Sequence, residues 1–120
     1  DIISPCALGG TINRNSLKNI NCNIIAGAAN NQLENDTDVP EELLKKNILY
    51  IPDFLINAGG IISVYHEQIN DIDSKKVMDM TGLIYDKVSS VIKYSEENSI
   101  STNSSAIQLA KDRIKENSKK

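Results

Sequence analysis

Three short stretches of this sequence have the residue types to hold a ligand: Pro5-Cys6-Ala7-Leu8-Gly9-Gly10, Gly27-Ala28-Ala29-Asn30-Asn31 and Asn57-Ala58-Gly59-Gly60. Alanine and glycine let a flat molecule lie against backbone, and glycine has no Cβ to hold it off. Asparagine carboxamides and loop carbonyls supply donors and acceptors around its edge. The chemistry these stretches suit is binding of a nucleotide or similar planar ligand, although Gly59-Gly60 serves a plain sharp turn equally well. Groups for catalysis are scarce. His66 is the only histidine, and Cys6 and Cys22 lack the spacing of metal ligands. The glycines stand at 9, 10, 27, 59, 60 and 82, so there is no Gly-x-Gly-x-x-Gly run, and neither a Walker loop nor a Gly-x-Ser-x-Gly elbow is present. His66 reads as a surface or satisfied polar residue, and the four tyrosines as helix or strand packing. Neither a catalytic residue nor a metal ligand is assigned.

Each of the three stretches follows residues that read as a strand, which predicts short parallel strands near 1–5, 23–27 and 48–52. Pro52 ends the third by removing a backbone donor. Ser16 is expected to cap a short helical turn carrying Leu17 and Ile20. Asp38 is expected to cap a helix with Pro40 in its first turn, Leu43 and Leu44 on its buried face and Asn47 as its left-handed stop. Strand, helix, buried strand implies a parallel pair with a crossover. Phe54-Leu55-Ile56 then leads into a turn at Gly59-Gly60, after which the apolar spacing turns helical. Helices are predicted near 61–69, 75–97 and 103–117, the second with Val77, Met80, Ile84, Val88 and Val91 on one face. In an open parallel sheet, loops at the carboxyl ends of the strands line one crevice, which is where ligands bind.

Composition narrows the class. The 120 residues are 40% hydrophobic and 24% charged, which is globular material. A net charge of −3 argues against nucleic acid as the main partner. No apolar run approaches the roughly 20 residues that cross a bilayer, so no membrane association is expected. Two cysteines fit reduced thiols in a cytoplasmic protein better than a disulfide framework. The lysines at 119 and 120 read as a solvated helix end. The sequence opens with Asp1-Ile2-Ile3, the interior of a strand, and is expected to be the C-terminal portion of a longer protein.

Taken together, Pro5-Cys6-Ala7-Leu8-Gly9-Gly10, Ala26-Gly27-Ala28-Ala29-Asn30-Asn31, Tyr50-Ile51-Pro52-Asp53 and Asn57-Ala58-Gly59-Gly60 resemble, in order and spacing, the C-terminal half of the Glu/Leu/Phe/Val dehydrogenases. The resemblance runs from Asp1 to about Lys115 and implies an α/β fold. Residues 1–60 would be the distal half of a Rossmann-like NAD-binding domain, and residues 61–120 a helical segment packing on it. It implies NAD as cofactor, an amino acid as small-molecule substrate and a homo-oligomer in the full-length protein. Ala7 and Leu8 would lie beside the nicotinamide ribose. Ala28, Ala29 and Asn30 would line the nicotinamide, Asn30 also near the substrate, and Asn57 would help hold the carboxamide or the substrate. Ile61 and Val64 would meet the substrate side chain. Glutamate-specific members typically carry serine where Val64 stands, so a leucine-like substrate is implied, with phenylalanine or glutamate as alternatives. The family's catalytic lysine and aspartate belong to a domain without counterpart here, so the chain alone is expected to be inactive. A non-catalytic remnant or interaction module of the same fold is the alternative reading.

Overall fold

The computed structural model describes residues 1–71 and 73–118; the lysine-rich end at 119–120 lies outside them. Strands β1 (Ile2–Ile3), β2 (Ile24–Ile25) and β3 (Leu49–Tyr50) form a parallel sheet in the order β1-β2-β3. Each ladder is two residues long, shorter than the predicted strands, because the chain bends into loops at Pro5, Gly27 and Pro52. Single bonds still carry the pairing outwards: Ala26 N–H donates to Ile3 O (3.0 Å) and Ile51 N–H to Ile25 O (2.9 Å).

Between β2 and β3 runs α1 (Asp38–Lys45), which buries Val39 and Leu43. Leu44 is largely exposed, contrary to expectation, because it sits about 100° round the helix from Leu43. The cap also differs: Asn35 Oδ1 accepts from the N–H groups of Thr37 (3.1 Å) and Asp38 (2.7 Å), while Asp38 pairs with Arg14 at 2.6 Å. Asp38 is itself the first helical residue, and Pro40, two positions on, has no N–H to donate to it, so the capping falls to Asn35. Asn13 likewise replaces Ser16 as cap of the single 3-10 turn Ser16–Lys18, accepting from Ser16 N–H at 2.9 Å. Asn47 is the expected left-handed stop, at φ 56°. The core joins Ile12, Leu17, Ile25, Val39, Leu43, Ile48 and Tyr50, between the sheet, α1 and the first loop.

Beyond β3 the apolar run Phe54-Leu55-Ile56 forms one helical turn, α2 (Asp53–Ile56). Gly59-Gly60 is not the turn itself: both glycines belong to the first turn of α3 (Gly59–Gln68), and the chain bends at Asn57-Ala58 before them. α4 (Ser74–Asn98) is capped by Asp73 and stopped by left-handed Ser99, and α5 (Thr102–Asn117) is capped by Ser101. These three helices match the predicted ones closely. Val77, Ile84 and Val88 of the predicted α4 face are half-buried and Val91 is buried, while Met80 is 40% exposed. Met80 instead lends its sulfur to His66, whose buried ring holds Sδ at 3.0 Å and the Asp71 carbonyl at 3.2 Å. α5 returns to the sheet, where the Thr102 hydroxyl donates to the Tyr50 carbonyl. The radius of gyration, 15.6 Å, exceeds the about 13.6 Å of a compact chain of this length. α3 and α4 leave Ile61, Tyr65, Met78, Leu83 and Tyr85 exposed.

Three stability predictions follow from this packing. A Cβ at Gly27 would land on the backbone of Pro5, whereas one at Gly82, inside α4, would meet nothing within 4 Å. Gly27→Ala should therefore cost about 3 kcal/mol or more, and Gly82→Ala should stabilise by up to about 1 kcal/mol, both read from urea unfolding. Burial, with the charge of Asp53 next, pushes the Tyr50 phenol well above its ordinary 10.0. An acid whose folded pKa is raised contributes stability below the unfolded pKa and loses it as pH climbs towards the folded one. Above pH 10 the wild type should lose up to about 1.4 kcal/mol per pH unit more than Tyr50→Phe, and equal slopes would refute the assignment.

Candidate functional site

The loops at the carboxyl ends of β1 and β2 are joined backbone to backbone. Ala29 N–H donates to Pro5 O at 3.0 Å, and Gly10 N–H to Asn31 O at 2.8 Å. Gly9 lies so close to the carbonyls of Asn30 and Asn31 that a Cβ would stand 2.9 Å from each. Asn31 takes the left-handed conformation at φ 52°, which asparagine tolerates and which turns the second loop back towards the first.

Between the second and third loops the contact is made by side chains. Gln32 is fully buried, and its Nε2 donates to the carbonyls of Gly27 (2.7 Å) and Ala29 (2.9 Å). Its backbone N–H donates to Asp53 Oδ2 at 3.1 Å, while Asp53 Oδ1 accepts from Phe54 N–H at 2.8 Å and so starts α2. Above this buried layer the Asn57 carboxamide donates to Asn30 Oδ1 at 2.5 Å.

The Asn30–Asn57 pair forms part of the wall of a cleft of about 730 Å³ between the second loop, α2, the start of α3 and α5. Ile61, Phe54 and Ile107 give it an apolar side. Glu34, Asp36 and Asp53 make the rest acidic, and no lysine or arginine stands among the described lining residues. Gly60 also borders it, and a Cβ there would meet nothing within 4 Å. The cleft has room for a planar group with hydrogen-bonding edges beside an apolar side chain, and its charge disfavours an added carboxylate.

Of the residues singled out from sequence, Asn30, Asn57 and Ile61 meet in this cleft. Ala28 is exposed on the second loop and Ala29 is 5% exposed beneath it. Ala7 and Leu8 border a separate hollow of about 320 Å³ by the first loop, together with Cys6. The Ala28 backbone N–H, and then the Ser4 hydroxyl, hold the exposed Cys6 thiol below its usual pKa. Val64 sits one turn beyond Ile61 on α3, half exposed. Gln32, Asp53, Phe54 and Ile107 were not singled out. Asp53 carried a legible signal, an acid at a helix start directly after proline. Phe54 and Ile107 had none, since they reach the cleft only through tertiary packing.

The sequence profile of the Glutamate/Leucine/Phenylalanine/Valine dehydrogenases matches residues 1–120. L-tryptophan dehydrogenase of Nostoc punctiforme is 47% identical over 114 residues, covering 95% of this chain and 32% of that protein. Leucine dehydrogenase of Bacillus cereus is 39% identical over 116 residues, covering 95% of this chain and 31% of its own length. Phenylalanine dehydrogenase of Bacillus thermotolerans is 38% identical over 120 residues, again with 31% of its length matched. The crystal structure of the Nostoc punctiforme L-tryptophan dehydrogenase superposes with a TM-score of 0.94 at 44% identity, over 100% of this chain and 35% of that one. The chain thus spans about a third of the length of the relatives it matches. With the profile covering every residue and the fold shared throughout, the chain belongs to the Glutamate/Leucine/Phenylalanine/Valine dehydrogenase family.

Proposed function

We propose that this chain is the cofactor-facing part of an NAD-dependent dehydrogenase that oxidatively deaminates an apolar L-amino acid, leucine or a close analogue. Residues 1–60 act as the distal half of a Rossmann-like domain and residues 61–120 as the helical segment that closes it. The observation that carries the reading is the Asn30–Asn57 carboxamide pair, 2.5 Å apart in a cleft at the carboxyl ends of three parallel strands. Bound NAD would supply the acceptor for the hydride leaving the substrate Cα. With water entering, the amino acid, NAD⁺ and H₂O become the 2-oxo acid, ammonium, NADH and a proton.

The chain's own groups fit that use. The exposed Ala28, over the buried Ala29, would give a nicotinamide ring a methyl-sized face, and Asn30 and Asn57 offer donors and acceptors to a carboxamide or to the substrate's amino-acid group. Ala7 and Leu8, on the neighbouring loop, would take the nicotinamide ribose. Ile61, with Val64 a turn later, supplies an apolar face for the side chain, gaining about 25 cal/mol per Å² of apolar surface removed from water. A glutamate side chain would lose hydration there at a cost of several kcal/mol, and it would face Glu34, Asp36 and Asp53. The proton-transferring groups are assigned to parts of the protein beyond this chain, and the exposed apolar residues of α3 and α4 support such further parts. A second reading, an aromatic substrate, is favoured by the 47% identity to a tryptophan dehydrogenase.

Steady-state NADH formation by the full-length protein carrying this chain tests the proposal. Leucine, phenylalanine or tryptophan should exceed glutamate in kcat/KM by about 100-fold or more, the factor that a penalty of several kcal/mol implies. Val64→Ser should narrow the gap without closing it. Tryptophan outrunning leucine would select the aromatic reading, and glutamate matching leucine would remove the apolar pocket. The 120-residue chain by itself should form no NADH above a blank.

A further inference from the structure

Gln32 combines three features that bulk filling does not require. It is the hub of the buried layer under the cleft, with 0% exposure in a loop whose neighbours Asn30 and Asn31 are exposed. All its backbone capacity is spent across elements: N–H to Asp53 Oδ2 at 3.1 Å, and C=O accepting from Ile12 N–H at 3.0 Å. Both protons of its carboxamide nitrogen go to carbonyls of its own loop, Gly27 O and Ala29 O, while Oε1 has no partner among the described residues. The side chain is therefore used purely as a double donor. Two carbonyls two residues apart, clamped by one nitrogen, fix the peptide planes on either side of Ala28 and Ala29, and with them the direction in which Asn30 leaves the loop.

We propose that Gln32 is a positioning residue for the dehydrogenase reaction, holding the Gly27–Asn30 segment in the orientation that presents Ala28, Ala29 and Asn30 to the nicotinamide and the substrate. The inference rests on the dehydrogenase reading of the same cleft. Gln32 touches neither ligand; it acts through the two carbonyls it clamps, and Asp53 extends the clamp to the third loop and so to Asn57. A displacement of about 1 Å in a group that aligns a hydride donor with its acceptor costs about 100-fold in rate. Loss of the clamp should accordingly be felt in turnover and in nicotinamide binding, and not in binding of the distant adenosine end.

The test uses the full-length protein with Gln32→Met, which keeps the side chain's length and removes both donated hydrogen bonds. Leu43→Ala, in the core under α1, serves as a control for general destabilisation. Gln32→Met should lower kcat/KM at least about 10-fold and weaken NADH, while the Kd of ADP-ribose, which lacks the nicotinamide, stays within about twofold. Amide exchange should quicken in peptides covering 26–32 and not in those covering 39–50. Turnover within twofold of wild type, or an equal loss in Leu43→Ala at a matched fall in Tm, would overturn the positioning role. Should Gln32→Met not fold, Gln32→Glu gives the second reading, since its carboxyl regains one proton to donate as pH falls. Its kcat/KM relative to wild type should rise towards acid pH, and a flat ratio would overturn the role. Absence of NADH formation by the wild type with any amino acid would overturn the dehydrogenase reading beneath it, an outcome distinct from an active wild type indifferent to Gln32.

Discussion

A sheet whose ladders are two residues long cannot hold its own loops in place, and this structure depends on the loops holding one another. The tightest point is Gly27 against Pro5, where backbone meets backbone with no space for a side chain. That approach puts Ala29 N–H on the Pro5 carbonyl and brings Gly9 and Gly10 under Asn30 and Asn31. The first two loops thereby become one surface, the Gln32–Asp53 and Asn30–Asn57 bonds add the third, and the cleft is the edge of that surface.

Below it lies a polar layer that is nearly dry. Gln32, Asp53, Tyr50 and Thr102 are each less than 9% exposed, and hydrogen bonds link them in series from the second loop to α5. Buried polar groups of this kind gain little net stability when paired but are expensive to leave unpaired. Their effect is directional: an apolar layer could slide by a rotamer, whereas this one admits a single arrangement of carbonyls and amides. Among the described residues, Gln32 Oε1 is the only buried side-chain oxygen or nitrogen without a hydrogen-bond partner.

The helical half is arranged differently. α3 packs on α4, and α4 on α5, through small and half-buried residues, and several large apolar side chains of α3 and α4 remain in solvent. Tyr65 and Met78 are 54% and 69% exposed, more than an isolated domain of this size would be expected to tolerate in neighbouring helices.

Local chemistry made much of this legible in the sequence. The three parallel strands, the three small-residue loops, the α1 crossover and the extents of α4 and α5 all follow from residue types within a few positions: Pro52 as a stop, Asn47 as a left-handed cap, apolar spacing of three and four. Asn30, Asn57 and Ile61 could be placed together because parallel strands put their loops on one edge. What the sequence could not decide was anything that depends on which distant group arrives first. Asn35 rather than Asp38 caps α1, Gly59-Gly60 is helix rather than turn, and Met80 turns to His66 instead of the helix core. Gln32, flanked by asparagines, looks like one more polar loop residue until the fold encloses it. Its burial is set by Ile12, 20 residues before it, and Asp53, 21 residues after it, and hydrogen-bond partners at that separation are fixed by the packing of the whole chain, not by neighbours in sequence.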